Sequence, residues 1–370
     1  MPSGVLLEPP AADEVEVSIF GPGRGECIVV HVGDGVWITV DSCRNGRTGD
    51  HPALDYFDRI GVNVAEDVTL VVATHAHDDH TAGVSAIYKA ATSARFATSS
   101  AFTTAEFFAL TILDEAAAPK ITESVRREFR AVLEEVERRP VATAPHLLNL
   151  REGVRVVDAT LPSSHSVIIR ALSPSDQAIH RSKLSVSRAE IEGKPIRISK
   201  PDPNEYSIAL WIEINNEIAL LLGGDLLNGP TACGWRRVHA THESDLKASV
   251  VKVPHHGSQN SHYSPMWDDF VRPDALALLA PFRMSQKTSI PTSTDVERIL
   301  SAVERAFITA KPTTPAPSRE LRQAAALLRA TGARNIRERD GLPGHVQART
   351  KISSGEFEVR TASPAYELSA

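Results

Sequence analysis

From Glu14 to Phe20 the chain alternates, with Val15, Val17 and Ile19 on one side, which predicts a half-buried strand. Gly21-Pro-Gly-Arg-Gly-Glu26 reads as a β-turn: no helix follows it, and the Lys-Ser/Thr of a phosphate loop is missing. Cys27 to Val32 and Val36 to Asp41 are strands around Gly33-Asp-Gly35, a hairpin signal. Asp41 ends its strand and Ala53 to Ile60 is a predicted helix. The apolar, β-branched run Val68-Thr-Leu-Val-Val-Ala73 predicts a buried strand, and Gly83 to Ala90 the helix after it. Residues 101–140 read as helical. Val125, Phe129, Val132 and Val136 share one face, Arg126, Arg127, Arg130, Arg138 and Arg139 lie mostly on a solvated one with Glu partners, and Pro140 is the stop.

Further strands are predicted over Val154–Val157, Val167–Leu172, Ser207–Ile214, Glu217–Leu222, Val250–Val253 and Ala275–Ala280, with a helix over Val296–Ala306. Residues 311–318 are Pro/Thr-rich and linker-like, Glu320 to Ala330 is helical, and Val346–Arg349 with Phe357–Val359 suggests a last hairpin. These boundaries divide the chain into a leader (1–13), a main domain (14–310) and a C-terminal extension (311–370) packing on it. The main domain carries two insertions, one helical at about 101–140 and one polar at about 175–203.

Composition narrows the class. At 370 residues and a net charge of −6, the chain has no general attraction for nucleic acid or anionic membranes. Locally, 175–203 is basic, with Arg181, Lys183, Arg188, Lys194, Arg197 and Lys200, and reads as a surface loop or a substrate-gripping flap. Three cysteines, Cys27, Cys43 and Cys233, form no disulfide framework and suit a reducing compartment. No basic n-region opens the sequence, and no run reaches the ~18 apolar residues of a membrane span. The expectation is a soluble cytoplasmic protein without a membrane partner.

The chemistry gathers after strands. His75, His77, Asp79 and His80 follow Val68–Ala73, Asp225 follows Gly223-Gly224, and His255-His256 follow Val250–Val253. Five of fourteen histidines fall in two of these places, which chance placement on surface loops does not explain. In an extended chain His75 and His77 point the same way and can grip one ion. Asp79 and His80 turn with the helix start and face a second, Asp225 can bridge both, and His255 or His256 completes the second site. Imidazole, carboxylate and water suit zinc, manganese or iron(II). Two such ions about 3.5–4 Å apart clamp the attacking and leaving oxygens of a hydrolysis.

His75-X-His77-X-Asp79-His80 resembles the signature of the metallo-β-lactamase fold hydrolases. Gly23-Arg-Gly25-Glu26, Asn204-Glu-Tyr-Ser207 and His255-His-Gly-Ser258 are similar to motifs of the ComEC-type competence branch, over roughly residues 14–310. The resemblance implies an α/β fold, a four-layer αββα sandwich of two mixed sheets. It implies that Asp41 supports the metal loop, that Asp225 bridges and that His255 is the last ligand. Glu26 stands where aspartate is commoner. The third histidine of many such enzymes has no counterpart, since neither His146 nor His165 follows a clear strand. Two divalent ions, Zn or Mn, are therefore expected, with occupancy by one left open.

The activity implied is metal-dependent hydrolysis by a metal-bound hydroxide, with Asp79 orienting the water and His256 protonating the leaving group. Asn204, Ser207 and Ser258 support the loop or hold substrate. The expected substrate is a phosphodiester, making the chain a nuclease or nucleotide phosphodiesterase. The alternatives are a small-molecule ester, thioester or lactam hydrolase, and a partner-dependent binding component with little activity alone.

Overall fold

The computed structural model describes residues 4–22, 25–46, 48–101, 122–141, 144–182, 202–283, 289–312, 323, 326–327, 331 and 343–369. Of the expected elements, 102–121, most of the basic stretch (183–201) and most of the helix over 320–330 lie outside them.

The first strands are β1 (Glu14–Gly21), β2 (Cys27–His31), β3 (Trp37–Val40), β4 (Val68–Ala73), β5 (Arg95–Ser99) and β6 (Leu147–Leu150). They are followed by β7 (Arg155–Thr160), β8 (Ser166–Ala171), β9 (Leu210–Ile214), β10 (Ile218–Leu222), β11 (Ala248–Lys252) and β12 (Val271–Leu279). A two-stranded ribbon, β13 (Phe282–Arg283) and β14 (Ser289–Ile290), precedes β15 (Arg305–Ile308), β16 (Gly344–Lys351), β17 (Glu358–Ala362) and β18 (Tyr366–Glu367).

They form two eight-stranded sheets, ordered β17-β16-β1-β2-β3-β4-β5-β6 and β18-β15-β12-β11-β10-β9-β8-β7. Both are mixed. In the first, β3 to β6 are parallel and the rest antiparallel; in the second, β10, β11, β12 and β15 are parallel. The parallel strands read as unbroken apolar runs because both their faces are covered.

Three apolar layers define the stack. Ile19, Ile38, Leu70, Ile212, Leu220 and Leu278 belong to the layer between the sheets. Tyr56, Phe57, Ile87, Tyr88, Phe129 and Val132 seat the helices Pro52–Ile60, Val84–Ala90 and Glu123–Arg138 on the first sheet. Trp235, Met266, Trp267 and Ile299 do the same for Gly234–Thr241, Ser264–Phe270 and Ser293–Leu300 on the second. The architecture is thus α/β with two mixed sheets between helical layers, as expected. No helix among the described residues is long and apolar enough to cross a membrane.

Three readings are corrected. β1 is buried on both faces, because Glu16 and Ser18 sit in a dry polar network in which Glu16 accepts from Arg349 at 2.6 Å and from the Tyr56 hydroxyl at 2.7 Å. The helix expected over Val296–Ala306 ends at Leu300, and Ala306 belongs to β15, where it is fully buried against helix and sheet. Arg126 and Arg139 turn inward from the otherwise solvated face; Arg139 donates to the carbonyls of Tyr88, in the last turn of Val84–Ala90, and of Ala91 and Ala94 beyond it.

Candidate metal centre

The expected histidines and aspartates stand at the carboxyl ends of parallel strands, where an α/β sheet opens its loops, while Asn204 and Ser207 lie in and just after the short helix Pro203–Tyr206 that precedes β9. Asp41 follows β3 and His75 follows β4 in one sheet; Asp225 follows β10 and His255-His256 follow β11 in the other. One backbone bond, Ile208 N to Thr74 O at 3.0 Å, joins the two sheets at this point.

Asp41 anchors the metal loop. Its backbone is left-handed (φ 60°), and its carboxylate accepts from Thr74 N at 2.7 Å and Thr74 Oγ1 at 2.8 Å. It also lies 2.6 Å from His80 Nδ1. Thr74 Oγ1 is 3.0 Å from His75 Nδ1, which fixes that ring from behind.

On the other wall, His255 (φ 48°) and His256 (φ 53°) are both left-handed, a costly conformation for non-glycine residues that clusters at functional sites. The two rings differ in burial. His256 turns inward, 1 % exposed, with Nδ1 3.1 Å from Ala280 O and 3.3 Å from Glu26 Oε2. His255 stays at the rim, held by Asn260 Oδ1 at 2.9 Å and Asn204 Nδ2 at 3.1 Å.

Asp79, His80, Asp225 and His256 converge, with one ligand atom each mutually within 4.8 Å. His80 Nε2 is 3.2 Å from Asp225 Oδ2 and 3.6 Å from Asp79 Oδ2. His256 Nε2 is 3.2 Å from Asp79 Oδ2 and 3.5 Å from Asp225 Oδ2. A tetrahedral ion with bonds near 2.1 Å needs ligand-to-ligand edges of about 3.4 Å, so the donor set fits one. His80 Nε2 is buried and makes no hydrogen bond, as expected of an atom that is a ligand. Each histidine also meets a carboxylate at its far nitrogen: Asp41 behind His80, Glu26 behind His256.

The other expected residues have different surroundings. His75 and His77 touch through Nε2 and Nδ1 at 3.1 Å, and His75 Nε2 is 3.9 Å from Asp225 Oδ2. His77 Nε2 is 3.9 Å from Asp202 Oδ1. His255 Nε2 is 4.0 Å from Asp225 Oδ2, so the imidazole closer to the cluster is that of His256. Ser207 Oγ accepts from Asp225 N at 3.0 Å, and Gly224 (φ 51°) is pressed so close that a Cβ would lie 2.6 Å from that oxygen. Ser258 borders a small recess with Val253 and Ile299, away from the pocket that Asp225 and His256 line. His146 meets Pro140 O at 2.7 Å and His165 meets Ser163 Oγ at 2.8 Å, so neither enters the cluster.

Two residues had no role in the sequence reading. Glu26 lies in the glycine turn and pairs with Lys252 at 2.5 Å. Lys252, the last residue of β11, is 1 % exposed and also lies 3.3 Å from Asp225 Oδ1. The sequence signal was a lysine inside an apolar strand, Val250-Val-Lys-Val253, directly before the histidine pair. Burial works against charge on all these groups, and their mutual attraction outweighs it. His80 and Lys252 are raised, and His256 is raised to about 10, by the carboxylates around them. Asp79 is lowered to about 2 by His80 and His256 despite its burial, and Asp225 is lowered well below the usual carboxylate range by His80, His256 and Lys252.

The turn reaches the site through Gly25 (φ 103°), whose Cα packs on the Asp79 carbonyl, while Glu26 N donates to that oxygen at 2.9 Å. Any side chain at Gly25 collides with it. Gly25→Ala should cost roughly 1–3 kcal/mol of stability and lower metal retention with it, read by urea melts and by zinc content after dialysis.

A pocket of about 290 Å³ opens on the cluster, lined also by His77, Asp78, Thr122, Asn204, His255 and Phe282. Phe282 stacks on His256 at 5.2 Å and 17°.

No family model matches the sequence, and no curated protein matches it. Among solved structures, the chain is similar to a metallo-beta-lactamase from Pontibacter korlensis, at 12 % identity, over 60 % of this chain and 73 % of that one, with a TM-score of 0.27. It is also similar to a structure described as a peroxy diiron species of the chemotaxis sensor ODP, at 14 % identity, 90 % and 96 % coverage and a TM-score of 0.30. Overlaps this low carry no weight beside the geometry: a buried His/Asp cluster where two mixed sheets meet, able to hold a metal ion.

Proposed function

We propose that the chain is a metal-dependent hydrolase acting on phosphodiesters. The observation behind it is the convergence of Asp79, His80, Asp225 and His256, with edges of 3.2–3.6 Å, beside a pocket that Asp79, Asp225 and His256 line. A divalent ion held there supplies Lewis acidity and lowers the pKa of a bound water. The chain's own residues do the rest. Asp41 and Glu26 hold the two imidazoles through Nδ1, so both Nε2 atoms point inward. Phe282 covers His256 and keeps bulk water off that side. At the rim, Asn204 and Asn260 fix His255 with its ring facing the incoming substrate.

The phosphodiester assignment draws on the sequence resemblance and on the basic 175–203 segment. One observation favours the second reading, a neutral ester, thioester or lactam: among the described residues, no lysine or arginine lines the pocket, while Asp78 and Asp79 do. The test is hydrolysis of bis-p-nitrophenyl phosphate by zinc- or manganese-loaded protein, beside a thioester and a β-lactam, at two salt concentrations. Phosphodiester turnover whose KM rises steeply with salt supports the first reading. Thioester or lactam turnover without it reverses the order, and silence on all three with metal bound removes the hydrolase assignment.

A further inference from the structure

Phe282 is an aromatic residue that the core does not use. Among the described residues it belongs to none of the three apolar layers. The one ring it packs against there is that of His256, nearly parallel at 5.2 Å and 17°. Phe282 is only partly buried and lines the pocket beside the metal cluster. Its backbone is held in place. Ala280 O, two residues earlier, lies 3.1 Å from His256 Nδ1, and Phe282 pairs with the buried Ile290 across the β13–β14 ribbon. The short segment from Ala280 to Phe282 thus meets the His256 ring both at its edge and on its face.

The other walls suit a flat, uncharged occupant. His77 and His255 add two more planar rings to the lining. Among the described residues no lysine or arginine lines it, and the charge that Asp78 brings is negative. Gripping further phosphates takes cations, so a substrate with several phosphates gains nothing from these walls. A planar aromatic group does gain: offset stacking on a ring face adds to the apolar area that it buries, and nucleobases are held on phenyl rings in this way.

We infer that Phe282 is a specificity-determining residue that forms, with His256 behind it, a stacking subsite for an aromatic ring carried beside the scissile ester. This rests on the hydrolase reading above and names what the substrate carries, a nucleobase or the aryl group of an aryl ester.

Calorimetric titration of the protein at saturating zinc tests this without turnover. The probes are phenyl phosphate, adenosine 5′-monophosphate and ethyl phosphate; each brings one phosphate, and the first two bring a ring. Wild-type protein should bind at least one ringed probe about tenfold tighter than ethyl phosphate. A tighter adenosine monophosphate assigns the ring to a nucleobase, and a tighter phenyl phosphate to an aryl ester. Phe282→Ala should erase the preference and leave ethyl phosphate binding unchanged. Phe282→Trp should keep it, and Phe282→Leu, apolar but without a ring, should lose most of it. No ring preference in the wild type, an equal loss for all three probes in Phe282→Ala, or a full preference in Phe282→Leu would each overturn the inference. If Phe282→Ala does not fold by circular dichroism, the leucine and tryptophan variants decide. Ring preference without hydrolysis of any ester defeats the hydrolase reading alone, and hydrolysis without ring preference defeats this inference alone.

Discussion

His256→Ala should strip the protein of bound metal, and of the proposed hydrolysis with it, while His255→Ala should leave the metal in place. The two histidines are adjacent in sequence and opposite in setting. His256 Nε2 stands 3.2 Å from Asp79 and 3.5 Å from Asp225, with Glu26 behind it. Removing it takes away a donor and leaves three carboxylates, Glu26, Asp79 and Asp225, short of a positive partner. The loss of affinity should exceed the roughly 10–100-fold typical of an outer supporting residue. His255 Nε2 is 4.0 Å from Asp225 and is engaged by Asn204, so its removal should change zinc affinity less than about tenfold. Zinc titration against a chelator measures both. The opposite pattern would restore His255 as the last ligand, as the sequence resemblance implied.

Metal affinity should climb about 100-fold per pH unit across the neutral range, because uptake displaces two protons. In the metal-free protein, burial disfavours charge on His80 and His256, but the surrounding carboxylates outweigh it. His80 is raised well above its ordinary value and His256 to about 10. Each must give up its Nε2 proton to become a ligand. Competition titrations at pH 6, 7 and 8 read the slope, and a flat line would contradict the assignment of both imidazoles. The same groups set the stability of the metal-free fold. Their folded values lie above the unfolded value of 6.5, so their contribution is complete below that pH and is lost as pH rises through the folded values, about 10 for His256. Asp79 acts in the opposite direction: its value is lowered to about 2, so its contribution is present above 3.8 and is lost as pH falls through about 2.

The parallel strands and the loops that end them were legible, because β4, β10 and β11 are apolar runs that stop at chemical residues. Asp41, Asp79, His80 and Asp225 could be placed near one another on that basis alone. The choice between His255 and His256 could not, since it depends on two left-handed backbone positions that nothing in His-His-Gly demands. Glu26 was hidden by its turn: a Gly-rich loop reads as punctuation until Gly25 is seen packed against Asp79. Lys252 was hidden by its strand, where a lysine among valines gives no sign of which charges await it. β5 and β6 went unread because Arg95–Ser99 and Leu147–Leu150 are short, and the second shows no clean alternation. The Val296–Ala306 misreading came from Val303 and Ala306, whose three-residue spacing continues the helical period across a real chain reversal.

Glu16 and Arg349, partners inside the first sheet, are 333 residues apart in the chain. β16 lies between β1 and β17, so the first sheet has an open edge at β1 until β16 is made. A growing polypeptide on the ribosome therefore carries β1 with one unpaired side and a carboxylate whose counter-ion does not yet exist. Pairing of such distant strands is intrinsically slow and leaves the intermediate open to association. Synthesis must therefore pass Gly344–Lys351 before the sheet that carries the Asp41 wall of the centre is complete on that side, and a chain cut before Gly344 should be held by chaperones or aggregate rather than work at reduced rate.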